Sequence, residues 1–123
     1  MLAEIVIPAL PPRTGTAFLE LARRQGDYAM MGVAAVVTRD AAGRCAGARI
    51  ALCSAGPTPM RAPRAAASLI GTTMEEGAIR DAAALAQAEI APMGSVQASP
   101  AYQRHLAGVL VARALRLAWG RAR

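Results

Sequence analysis

Aromatic residues make up only 3% of this 123-residue chain, and lysine is absent: all fourteen basic residues are arginine. Four rings in all (Phe18, Tyr28, Tyr102 and Trp119) are too few to interleave with the charges as a base-stacking surface. The arginines are scattered from Arg13 to Arg123, and only Arg121 and Arg123 form a basic tail, so the net charge of +6 argues weakly for a nucleic-acid face. Cysteine is scarce too. Cys45 and Cys53 would stand about 26 Å apart on one extended strand at ~3.3 Å per residue, which no disulfide spans. Two thiols cannot hold an iron–sulfur cluster, and the single histidine, His105, is not placed to complete a zinc set. Both cysteines are read as core filler. No apolar run approaches the ~20 residues of a membrane span. The first residues, Met1-Leu2-Ala3-Glu4, lack the positive region and apolar stretch of a signal peptide. A reduced, cytoplasmic setting is the expectation.

What is present is aliphatic. The apolar fraction is 54%, so the core is built from Ala, Val, Leu, Ile and Met. A chain of this length fits one domain and buries roughly two thirds of its unfolded surface. Residues 4–7 (Glu-Ile-Val-Ile) form a short β-prone run, which Pro8, Pro11 and Pro12 end because proline removes backbone donors. Residues 1–15 are therefore read as a lead-in segment within a single domain spanning 1–123. Residues 16–24 fit a helical period better than a strand alternation on spacing alone.

Gly26-Asp27 marks a reversal, since glycine takes positive φ and aspartate bonds its own backbone. Tyr28 then stands at the mouth of a buried strand, 28–38. A polar loop with Gly43 follows, and then an alternating run, 45–54, with Ala46, Ala48, Ile50 and Leu52 on one face. Two such runs read as an antiparallel hairpin. Three prolines break residues 55–63. A short helix after Pro63 closes at Gly71. Thr73 and Glu76 fit a capping box for a second helix, with Ile79, Ala82, Ala83, Ala86 and Ile90 on one side. Ser99-Pro100 opens a third, running to about Trp119 with Gly120 as its stop. Leu106, Val109, Leu110 and Leu117 form its buried side. Strands first and helices after predict an α+β fold: a small antiparallel sheet with three helices packed on one face.

A search for catalytic chemistry finds little. There is no Walker-type loop and no GxGxxG. His105 reads as a surface residue, and Ser54 and Ser99 have no His or Lys companion at an activating spacing. Glu75 and Glu76 are explained by the start of the second helix.

Three blocks carry a resemblance. They are Arg24-Gln25-Gly26-Asp27-Tyr28-Ala29, Gly56-Pro57-Thr58-Pro59-Met60-Arg61-Ala62 and Ala98-Ser99-Pro100-Ala101-Tyr102-Gln103-Arg104-His105-Leu106. In this order and spacing, the chain resembles the C-terminal domain of the FAD-binding medium subunit of molybdenum hydroxylases, the group of carbon monoxide dehydrogenase flavoproteins and xanthine dehydrogenase-type subunits. The similarity runs from about Glu4 to Trp119. One departure stands out: Gln103 occupies the place where the family usually has arginine.

The resemblance implies a three- or four-stranded antiparallel sheet followed by three helices, and it makes residues 16–24 the first strand. It implies FAD in the complete subunit, with most contacts supplied by a separate N-terminal FAD-binding domain that this chain does not resemble. It also implies an iron–sulfur small subunit and a molybdopterin large subunit as partners, with electrons passing from the clusters to FAD. By that resemblance Tyr28, then Asp27 and Gly26, lie nearest the flavin ring. The competing reading makes Asp27 a turn cap and Tyr28 a plug at the sheet end. Two other functions stay in view: a non-catalytic assembly module that has lost flavin contact, and a basic nucleic-acid binder. The chain alone is not expected to be a competent enzyme.

Overall fold

Four strands precede three helices: β1 (Thr14–Leu21), β2 (Met31–Arg39), β3 (Cys45–Cys53) and β4 (Met60–Arg61), then α1 (Pro63–Ser68), α2 (Glu76–Glu89) and α3 (Pro100–Arg121). The computed structural model describes residues 2–123. The strands form one antiparallel sheet in the order β1-β2-β3-β4. All three helices gather on one face: α3 crosses β1 and β2, α1 lies by β3, and α2 packs between α1 and α3. This is the α+β arrangement expected, with four strands.

The strand reading of this segment is the correct one, but its bounds shift: β1 runs from Thr14 to Leu21, pairing along its length with β2, so it takes in the last two residues of the lead-in segment 1–15 and stops short of residues 22–24. Helical spacing misleads here because β1 is an edge strand. Ala17 is buried, but Leu21 lies at the strand end and is 36% exposed. Gly15 explains how α3 comes so close. A side chain there would overlap the Ala118 carbonyl and the Ala122 amide.

β2 supplies the centre of the core, with Met31, Val33, Ala35 and Val37 buried on the helix side. The loop to β3 is held by Asp40, whose Oδ1 accepts from Arg44 N at 2.8 Å, and by Gly43 at φ 79°. The register then slips between Thr38 and Arg39: Thr38 faces Gly47, and Arg39 faces Cys45. That bulge leaves Ala46 unpaired and exposed and turns Cys45 into the core. Ala46 is therefore not on the buried face with Ala48, Ile50 and Leu52. Both cysteines do share one strand, at its two ends, and both are free.

Several boundaries differ from those drawn on the sequence. Residues 4–7 form no strand and are exposed, because no neighbour supplies a ladder. β2 begins at Met31, leaving Tyr28 in the preceding loop. Thr73 does not cap α2. The N-cap position is Glu75, Thr73 Oγ1 donates to Glu75 Oε2 at 2.8 Å, and Glu76 is drawn away to Arg116. α3 passes through Gly120 to Arg121, because glycine inside a helix costs only about 1 kcal/mol and packing overrides it. Leu117 is exposed rather than buried. Ser99 caps α3 as read, its Oγ accepting from Tyr102 N at 3.2 Å.

The arginines have structural work. Arg39, Arg44, Arg104, Arg121 and Arg123 each donate to a backbone carbonyl. Arg104 reaches two of them, Gln87 O and Ile90 O, at the end of α2. The Arg39 guanidinium also stacks on Trp119, 3.8 Å from the ring centroid. A planar fork with five donors suits these carbonyls better than a lysine point charge.

Candidate functional site

One end of the sheet, where β2 starts and β3 finishes, opens into a cleft of about 430 Å³. Three chain segments meet there: residues 27–30, Ser54 and Gly56 after β3, and the loop 93–97 before α3.

The first segment is shaped by a tight turn. Asp27 N donates to Arg24 O at 3.1 Å, and Gly26 takes φ 90°, a conformation that favours glycine. The Asp27 carboxylate accepts no hydrogen bond among the described residues, so the backbone closes the turn and the side chain is left free to face the cleft. Ser54 Oγ donates to Ala29 O at 2.7 Å and pins the segment to the end of β3. Ser54 itself takes φ 58°, so the chain reverses sharply there.

Tyr28 is 98% exposed. It plugs nothing, and the reading of it as a sheet-end plug is overturned. It stands over the cleft with Val96 at 107% and Met93 at 70% exposure, both from the opposite loop. Three large apolar side chains held in water around one cleft are costly, at ~25 cal/mol per Å². Such an apolar rim marks a surface that another group covers.

Gln103 forms the floor. It is the only buried polar residue among those described, at 4% exposure. Its Nε2 donates to Met30 O at 3.2 Å, and its Oε1 accepts from Gly94 N at 2.9 Å. One amide from α3 thus fixes both walls. An arginine at this position would supply donors only and could not accept from Gly94.

Of the residues singled out in sequence, Asp27 and Tyr28 line the cleft, while Gly26 shapes the turn without lining it. The loop 93–97, Ser54 and Gly56 escaped as site residues. Met93 and Val96 beside a Gly94 turn, apolar where a turn should be polar, are the one signal that would have found them. His105 lies elsewhere, on a shallow surface with Gln87 and Val109. No cluster of three or more His, Cys, Asp or Glu is placed to hold a metal among the described residues.

The lining includes one carboxylate, Asp27, and no guanidinium. It suits a flat, largely apolar ring with a few polar edges, met by Tyr28 and by backbone groups. It does not suit a diphosphate, which needs cations or a row of free amides.

Similarity to known proteins follows this geometry. The family described as the CO dehydrogenase flavoprotein C-terminal domain matches residues 16–118. The alpha subunit of the 6-hydroxypseudooxynicotine dehydrogenase complex of Paenarthrobacter nicotinovorans is 37% identical over 123 residues. The carbon monoxide dehydrogenase medium chain of Afipia carboxidovorans is likewise 37% identical over 123 residues. The chain spans 42% of the length of each. Among solved structures, the carbon monoxide dehydrogenase of Hydrogenophaga pseudoflava that lacks the Mo-pyranopterin moiety of its cofactor superposes with a TM-score of 0.90 at 37% identity, over 95% of this chain and 40% of that one. No described helix is long and apolar enough to cross a membrane. The chain belongs to the CO dehydrogenase flavoprotein C-terminal domain family.

Proposed function

We propose that this chain, as one domain over residues 1–123, closes the ring end of an FAD site in a cytoplasmic molybdenum hydroxylase and helps assemble the electron path from iron–sulfur clusters to flavin. The observation that carries this is Tyr28. It is almost wholly in water, yet the residues on either side of it are tied down, Asp27 N to Arg24 O and Ala29 O to Ser54 Oγ. A ring carried out into the cleft mouth on a tied backbone is available for stacking.

The division of labour follows from the lining. FAD, when bound, supplies the electron-accepting ring. The chain's own residues cover that ring and exclude water through Tyr28, Met93 and Val96, while Gln103 keeps the two walls in register. Phosphate binding falls to a separate N-terminal FAD-binding domain. The relatives carry names of subunits, one of a dehydrogenase complex and one a medium chain, which supports an iron–sulfur small subunit and a molybdopterin large subunit as further partners. The alternative, an assembly module without flavin contact, keeps the fold but gives Tyr28 no ring to meet.

A fluorescence titration separates the two. The chain alone should retain no FAD after gel filtration. Added to the separately produced FAD-binding domain of a related medium subunit, it should quench the bound flavin further, and Tyr28→Ala should remove that extra quenching. Quenching unchanged in Tyr28→Ala would leave the assembly-module reading standing instead.

A further inference from the structure

The two edges of the sheet are not alike. β4 is two residues long and lies between Pro59 and Pro63, so that edge is short and poor in donors. β1 is eight residues long and contains no proline. Leu21 O accepts from Met30 N, and Arg13 O accepts from Arg39 N, so the odd-numbered groups face β2. The even-numbered groups, those of Thr16, Phe18 and Glu20, face outward. Of these, Thr16 O is taken by Arg121 Nη1 at 2.8 Å. The rest present an open ladder.

Beside that ladder runs an apolar groove between β1 and α3, about 490 Å³ in volume, lined by Leu19, Leu21, Leu106, Leu110 and Leu117 among others. Leu21 and Leu117 are 36% and 43% exposed there. The charge around it is mainly positive. Arg113 and Arg116 line the groove, Arg121 sits on the edge, and Arg23 and Arg24 follow β1. Glu20 is the one carboxylate lining the groove. Glu76, the partner of Arg116, belongs to α2.

We propose that the outer edge of β1 is a docking site for an extended segment of another chain, apolar on one side and acidic along its length, which adds to the sheet as a fifth strand. Backbone pairing with Thr16, Phe18 and Glu20 sets its register. Alternate apolar side chains enter the groove, and carboxylates meet the arginine rim. A second copy of this chain is the poorer occupant, because it would set its own arginine rim against this one.

The test uses an eight-residue synthetic peptide alternating valine and glutamate, with a valine–lysine peptide as control. Amide exchange on the folded chain should slow by at least about tenfold at Thr16, Phe18 and Glu20, while amides of odd-numbered β1 residues, already paired, change little. Phe18→Pro removes an amide that the sheet does not use and should abolish binding with the circular dichroism unchanged. Phe18→Ala keeps that amide and should still bind. Arg113→Glu should weaken binding by up to about fivefold. Equal binding of the lysine peptide, no protection at the three even positions, or the same protection arising from self-association without peptide would each overturn the proposal.

Discussion

Gln103 donates from Nε2 to the Met30 carbonyl at 3.2 Å, across 73 residues of chain, and so ties the start of α3 to the start of β2 beneath the cleft. The same amide accepts from Gly94 N, so a single buried side chain holds both walls. Replacing it by leucine leaves the Met30 carbonyl and the Gly94 amide without these partners. Gln103→Leu should lower stability by about 2 kcal/mol in urea unfolding. Gln103→Glu keeps the acceptor for Gly94 but at neutral pH sets a buried carboxylate against Met30 O. Its loss should be larger at pH 7 and shrink as the pH falls and the carboxyl gains a proton to donate.

Tyr28 offers the opposite test. With 98% of its surface in water, Tyr28→Ala should change the unfolding free energy by no more than about 0.5 kcal/mol. The flavin quenching described above should still be lost. A residue that costs nothing to remove from the fold and much to remove from the cofactor response belongs to the site rather than to the scaffold.

Gly15 is fixed by proximity. Its missing side chain lets α3 lie against β1, with Ala118 O and Ala122 N where a methyl group would be. Gly15→Ala should destabilise by about 1–3 kcal/mol and lower Tm by several degrees in a thermal melt. Gly77, with open space around it, is the control: Gly77→Ala should be neutral or slightly stabilising.

The pair of Arg116 and Glu76 joins α3 to α2, with Nη2 to Oε2 at 2.6 Å and Nε to Oε1 at 2.8 Å. The hydrogen bonds from Arg116 hold the Glu76 carboxyl below its ordinary range. A depressed folded-state pKa means that the pair's stabilisation is full above the unfolded value and is lost as pH falls through the folded one. The stability gap between the native chain and Glu76→Gln should therefore be flat at neutral pH and close on acidification below about pH 4. Both groups are exposed, so the gap is small, and 0.5 M salt should reduce it further.

Apart from β1, whose spacing reads as helix, the order of strands and helices was legible because each element carries its own pattern and its own stops. Val33, Ala35 and Val37 alternate into the core, Gly43 turns the hairpin, and Ser99-Pro100 opens α3 as their chemistry dictates. Tyr28 and Asp27 were legible as candidate site residues only through the block that holds them. Nothing in their spacing tells a residue at the cleft mouth from a plug.

The rest depended on contacts between distant segments. Thr73 and Glu76 have the spacing of a capping box, but Glu76 is drawn to Arg116, forty residues away. Gly120 has the composition of a helix stop, but α3 continues because Ala118 and Ala122 pack against β1. The second wall of the cleft, Met93 to Gln97, reads as a connection until Gln103 draws it toward Met30.

By itself, then, the sequence determined most of the turns, the hairpin and the cap of α3, because those preferences act within a few bonds. The tertiary structure decided where β1 ends its helical resemblance, which arginines hold carbonyls, and which two loops face each other across a cleft. Those outcomes are set by packing and by buried hydrogen bonds between segments far apart in the chain, and no local preference encodes them.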